Sequence, residues 1–118
     1  MRQLLTSIAI VLMLTSGLLA HSKVKTSSPA DGDSLSEQPS SIELNFEKPA
    51  RVTKVTLEHT DGDDDHDLRL DIPTKEYVKS ISLSPELYGA GYYKVEWRAL
   101  AKDGHAMKGG FSFTVEAE

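Results

Sequence analysis

The feature that most constrains this chain is an alternation of apolar and polar residues with period two, interrupted at short intervals by turn residues. Ser41–Phe46 places Ile42, Leu44 and Phe46 on one face, and Thr53–Glu58 does the same with Val55 and Leu57. Tyr92–Leu100 is the longest run, with Tyr93, Val95, Trp97 and Ala99 on one side, while Leu68–Ile72, Val78–Leu83 and Phe111–Val115 are shorter. Successive side chains of a strand point to opposite faces, so each run reads as a strand with one buried face. The alternation slips by one residue inside Val78–Leu83, which predicts a bulge there. Pro29–Asp33, Glu37–Pro39, Lys48-Pro49, Asp61-Gly62, Ser84-Pro85 and Asp103-Gly104 supply turns. About seven short strands at this spacing predict an all-β, seven-stranded Greek-key sandwich or barrel. Pro85–Tyr88 could form one helical turn, and no repeat, linker or second domain is visible. The aromatic side chains Tyr93, Trp97, Phe111 and Phe113 are expected in the core, with Tyr92 and Glu96 on the outer face.

The first twenty residues obey a different rule. Met1-Arg2-Gln3 is a short basic start, Leu4–Leu14 is almost wholly apolar, and Thr15–Ala20 is small and apolar, which is the order of a secretory signal peptide. The apolar run is short for a membrane span, which needs about 20 such residues. Cleavage after Ala20 would leave one domain, residues 21–118, with His21 as its first residue. Those 98 residues suffice for one modest core. The mature chain is expected to be exported, not inserted in a membrane, and monomeric.

Charge and cysteine usage exclude several functions. With Arg2 lost in the signal, twelve basic residues face eighteen acidic ones, a net charge of −6. Nucleic-acid binding needs a basic stripe against phosphate, so that class is set aside. The chain has no cysteine, which removes disulfides, thiolate chemistry and thiolate metal sites. No phosphate-binding glycine loop or nucleophile elbow surrounds any serine.

The sharpest pattern joins the two ends of the mature chain. It runs from His21-Ser22-Lys23 through Ser28-Pro29-Ala30-Asp31-Gly32 to Ile42-Glu43-Leu44-Asn45-Phe46, followed by Pro49. It resumes at Tyr93-Lys94-Val95-Glu96-Trp97-Arg98, then Asp103-Gly104-His105, and ends on Gly109-Gly110-Phe111-Ser112-Phe113-Thr114-Val115. In this order the pattern resembles the CopC family of periplasmic copper-binding proteins, over essentially the whole mature chain. The resemblance implies a cupredoxin-like (Ig-like) sandwich in the periplasm that binds one Cu(II) per chain, without enzymatic turnover. It implies His21, Asp103 and His105 as ligands and a CopD-like membrane copper transporter as partner. Some members carry a methionine-rich Cu(I) loop; here Met107 is the only methionine after the signal, so that loop is lacking. Ala106-Met107 also replaces the usual proline after Asp-Gly-His.

The donor set suits the ion. Cu(II) favours tetragonal nitrogen and oxygen coordination. A chain-terminal histidine offers its amine and its imidazole Nδ1 in one chelate ring, and an α-amino group has a reference pKa of about 8, low enough for a metal to displace its proton. His105 would add a third nitrogen. Asp103, two residues away, could bind weakly along the axis or orient a ligand. Two other readings compete: a metal-free structural or adhesive sandwich module, and a histidine-brace copper monooxygenase, for which the chain offers little surface to hold a polymer.

His59-Thr60-Asp61-Gly62-Asp63-Asp64-Asp65-His66-Asp67 is the other distinctive stretch. Its aspartates alternate like a calcium loop, but His66 and Ile72 occupy the positions of the required glycine and glutamate. It is expected to be a solvated hairpin loop whose charges discourage edge pairing. The alternative is a weak accessory site for Cu(II), Zn(II) or Ni(II) through His59 and His66.

Overall fold

The computed structural model describes residues 24–117; the signal segment and His21 lie outside the described residues. Seven strands follow in order: β1 (Val24–Ser28), β2 (Asp33–Leu35), β3 (Ile42–Asp61), β4 (Asp64–Arg69), β5 (Val78–Leu83), β6 (Gly91–Ala101) and β7 (Ala106–Val115). No helix is present among the described residues, and Pro85–Tyr88 is irregular rather than a helical turn. The order across the sheet is β1-β3-β6-β7-β2, with β4 and β5 also paired to β3. All pairings are antiparallel except β2 with β7.

β3 organises the molecule. Its first part, around Ile42–Phe46, lies between β1 and β5; its second part, from Ala50 onward, pairs with β6 and, from Thr56, with β4. Lys48-Pro49 was expected to be a turn between two strands, yet the strand runs on through it. The reason is that Glu47, Lys48 and Pro49 fall in the gap between these ladders, so proline's missing N–H removes no ladder bond. The bulge expected within β5 lies in its partner instead: the register shifts between Asn45 and Ala50 of β3, opposite Ser80 and Val78, so the extra residues belong to β3.

The inward faces form one core. Ile42, Leu44, Phe46, Val55, Leu57, Tyr93, Val95, Trp97, Phe111 and Phe113 are all buried, as the alternation predicts. Trp97 meets Phe46 edge-on, with ring centroids 5.5 Å apart at 82°. It also covers Gly109, where an added Cβ would sit 2.6 Å from the indole Cζ2. The Pro29–Asp33 turn is fastened to β7: the Ser112 N–H donates to Asp31 Oδ1 (2.9 Å) and the Gly32 N–H donates to the Ser112 carbonyl (2.8 Å). That turn therefore sets where β2 joins the sheet.

The Asp- and His-rich stretch is a correction. Only Gly62 and Asp63 form the turn; Thr56–Asp61 and Asp64–Arg69 pair as a continuous ladder. His59, expected in a solvated loop, is 3% exposed. It continues the inward face of Val55 and Leu57, and the strand simply runs further than the charged residues around it suggest.

Candidate metal centre

The β6–β7 hairpin turns through Lys102–His105. The Gly104 N–H donates to the Ala101 carbonyl and the Ala101 N–H to the His105 carbonyl, both at 2.9 Å. Gly104 has φ +93°, a left-handed conformation that glycine adopts without a Cβ penalty. This tight turn brings Asp103 and His105 together. Asp103 Oδ1 accepts the His105 backbone N–H at 3.0 Å, and Oδ2 lies 2.8 Å from His105 Nδ1.

The carboxylate orders the ring. An ionised carboxylate only accepts, so His105 Nδ1 carries the proton and, in the neutral ring, Nε2 presents the lone pair. That is the usual division of labour in a metal-binding histidine: one ring N–H held by an acceptor, the other nitrogen facing the ion. The same contacts hold the Asp103 carboxyl below its ordinary range, first through the backbone N–H of His105 and then through its ring. Both side chains are largely exposed, at 65% for Asp103 and 81% for His105. They stand on a turn open to solvent, where an ion could be loaded without displacing any core contact.

Of the expected ligands, Asp103 and His105 are thus brought together, and His21 lies outside the described residues. Among the described residues no three metal-ligating side chains are gathered around one point. An ion at this turn needs donors from elsewhere, and the strand order indicates the direction. β1 runs antiparallel to β3, with Val24 opposite Phe46. Four residues further along β3, Ala50 pairs with Ala101, two residues before Asp103. The start of β1 and the Asp-Gly-His turn therefore lie at the same end of the sandwich.

The opposite end holds the other two histidines. His59 on β3 and His66 on β4 are cross-strand partners. Tyr88 stacks on His66 with centroids 4.2 Å apart, and His59 packs against Tyr93 at 4.6 Å. The Tyr93 hydroxyl donates to the Gly89 carbonyl (2.6 Å) and accepts the Tyr88 N–H (2.9 Å). Burial, more than any neighbouring charge, raises its pKa. Sequence reasoning placed Tyr93 in the core but missed Tyr88; an isolated tyrosine between a proline and a glycine gives no periodic signal.

Comparison with known proteins agrees with this architecture. The family model described as "CopC domain" matches residues 24–116. Copper resistance protein C of Escherichia coli is 32% identical over 106 residues, covering 83% of each chain. Copper transport protein CutJ of Bacillus subtilis (strain 168) is 24% identical over 81% of this chain, which corresponds to only 18% of that longer protein. Among solved structures, the methionine-rich copper resistance protein PcoC of Escherichia coli superposes with a TM-score of 0.61 at 28% identity, covering 82% of this chain and all of PcoC. CopC from Methylosinus trichosporium OB3b gives a TM-score of 0.58 at 26% identity, over 81% of this chain and 94% of that one. The family-model match over residues 24–116, the 32% identity to copper resistance protein C and the shared fold show that the chain belongs to the CopC family.

Proposed function

We propose that the mature protein is a periplasmic Cu(II) carrier or buffer. One ion is held by the amine and imidazole of His21 and by Nε2 of His105, with Asp103 fixing the His105 ring or binding weakly along the axis. The observation that carries this reading is the Asp103–His105 pair, whose 2.8 Å contact leaves Nε2 available on an exposed turn. Strand topology supports the rest. His21 lies three positions before Val24, a reach of about 10 Å, and Val24 begins its strand at the end of the sandwich that carries the turn. A set of nitrogen and oxygen donors without thiolate or thioether favours Cu(II).

The names of the relatives, a copper resistance protein and a copper transport protein, fit binding and transfer rather than turnover. A CopD-like membrane transporter is the partner this reading implies. The test is Cu(II) titration of residues 21–118 with electron spin resonance. One equivalent should bind with hyperfine structure from three nitrogens, which His105→Ala should reduce to two with a sharp loss of affinity. An extra residue ahead of His21 should weaken binding sharply, because the amine is displaced from its chelate ring. Unchanged affinity in that extended chain would rule out the amine as a ligand. Absence of binding by the correctly processed protein would overturn the function.

A further inference from the structure

Three cations stand side by side on the outer face of the sheet. Lys54 of β3 pairs across the ladder with Arg98 of β6, and Arg98 pairs with Lys108 of β7. Val95, Trp97 and Ala99 of β6 point into the core, so Arg98 and the residues opposite it point outward. Among the described residues none of the three forms an ion pair, and the neighbouring Glu96 is paired instead with Lys94 at 3.8 Å. Like charges directly opposite one another weaken a sheet. The mature chain carries a net charge of −6, yet its many carboxylates leave this row unmatched. A row that adds nothing to the fold and has no internal partner points to an external one.

The row crosses a cleft of about 440 Å³, lined by the cations Lys54, Lys94, Arg98 and Lys108 against the single carboxylate of Glu96. Gly110, opposite Glu96, leaves the face beside Lys108 without a side chain. A Cβ there would come within 2.8 Å of the Val95 carbonyl, so the position stays open. The large exposed apolar side chains among the described residues, Tyr77, Tyr88 and Tyr92, lie outside the cleft, so it offers nothing to insert into a bilayer. A second copy of this chain would bring its own charge of −6, which opposes self-association. The cleft also adjoins the metal turn. Arg98 lies three residues before Ala101, about 10 Å along β6, and Lys108 follows His105 by three residues. A partner seated on the row is therefore within reach of Asp103 and His105.

We propose that this cleft docks an acidic, extended segment of the protein that receives copper from the Asp-Gly-His turn. The partner's role as a copper recipient rests on the carrier reading above; the preference for carboxylates rests on Lys54, Arg98 and Lys108 alone. Arg98 can hold a carboxylate through two parallel hydrogen bonds, with a lysine as a point charge on either side. Complementary charge chiefly speeds encounter and fixes orientation, and its effect fades with salt. That suits a handover, which needs a fast, oriented and short-lived contact.

A peptide of alternating Glu and Gly, titrated into copper-free residues 21–118 at low salt, should shift the NMR signals of the Lys54, Arg98 and Lys108 amides and the Trp97 indole N–H. Lys54→Gln with Arg98→Gln and Lys108→Gln should weaken binding about tenfold or more. Lys25→Gln with Lys75→Gln and Lys79→Gln, an equal loss of charge at exposed positions elsewhere, should leave it unchanged. The first triple variant should unfold at a midpoint no lower than the parent's, because it relieves repulsion. From the copper-loaded protein, the same peptide placed behind a Gly-Gly-His copper acceptor should withdraw Cu(II) faster than Gly-Gly-His alone, an advantage the first variant should lose. Loss of copper loading would overturn the carrier reading but leave the copper-free titration as the test of the cleft. The proposal fails if both triple variants bind the peptide alike, or if phosphatidylglycerol vesicles or a second copy occupy the face and the peptide does not. It fails equally if the acidic segment gives the acceptor no gain in rate.

Discussion

Two pairs of side chains, Asp103 with His105 and His59 with His66, occupy opposite ends of this sandwich under opposite conditions. At the Asp103–Gly104–His105 turn the partners are two residues apart, exposed, and held by each other alone. At the His59–His66 end they sit on different strands, and one is buried beneath tyrosines. The first arrangement is local: a glycine turn and a carboxylate suffice to orient a ring, with little cost to the fold if it changes. The second depends on β3, β4, β6 and the Tyr88 segment all being in place. Orientation is cheap at an exposed turn and costly in a core, so the two ends should respond very differently to the same disturbance.

The sharpest contrast comes from making one substitution at both ends. Gly91→Ala introduces a Cβ at φ +136°, 2.5 Å from His59 Nε2 and 2.7 Å from the Thr60 carbonyl. It should cost on the order of 3 kcal/mol or more, because left-handed strain adds to a backbone clash. Gly104→Ala, at φ +93° with nothing within 4 Å, should cost only about 1 kcal/mol. Equal losses in denaturant unfolding would break the comparison. Next in size, Tyr93→Phe removes both hydroxyl hydrogen bonds to the Tyr88–Gly89 segment and should cost about 1–3 kcal/mol. It should also loosen Tyr88 over the histidines, visible as altered ring-current shifts of His66. Retained stability and shifts would mean that stacking alone holds the segment.

Asp103→Asn should leave the unfolding midpoint almost unchanged, as at other surface positions. If the ring must be oriented for copper, its Cu(II) affinity should fall about 10–100-fold, as for other outer-shell partners. An affinity equal to the parent's would limit Asp103 to shaping the turn. The smallest effect is with pH. The Asp103 carboxyl is depressed in the folded protein, so its contribution is present above the ordinary carboxylate range and lost as pH falls through the depressed value. Its carboxyl carbon should therefore titrate with a midpoint below 3.8; a midpoint at or above that value would show the contacts with His105 to be unformed in solution.

Much of this was legible in the sequence. The inward positions of β6 follow from strict alternation through Tyr93, Val95, Trp97 and Ala99, and the Asp-Gly-His spacing predicts a tight turn with both side chains close. What was hidden depends on partners distant along the chain. Pro49 reads as a strand breaker, and only the arrangement of ladders around β3 reveals that its N–H is not needed. His59 belongs to the parity of Val55 and Leu57, but the aspartates beyond it suggest solvent. Its burial is created by Tyr88 and Tyr93, which lie some thirty residues further on.

β6 runs almost the whole way between the His59–His66 pair and the Asp103–His105 turn and serves as a ruler for the molecule. From Tyr93, beside His59, to Ala101, at the foot of the Asp-Gly-His turn, it rises about 27 Å at the usual spacing of extended chain. In physiological salt charges are screened over about 8 Å, so a cation at one end is electrically invisible from the other. An ion loaded at the Asp-Gly-His turn should leave the His59 end untouched, and each end can change its residues without renegotiating the properties of the other.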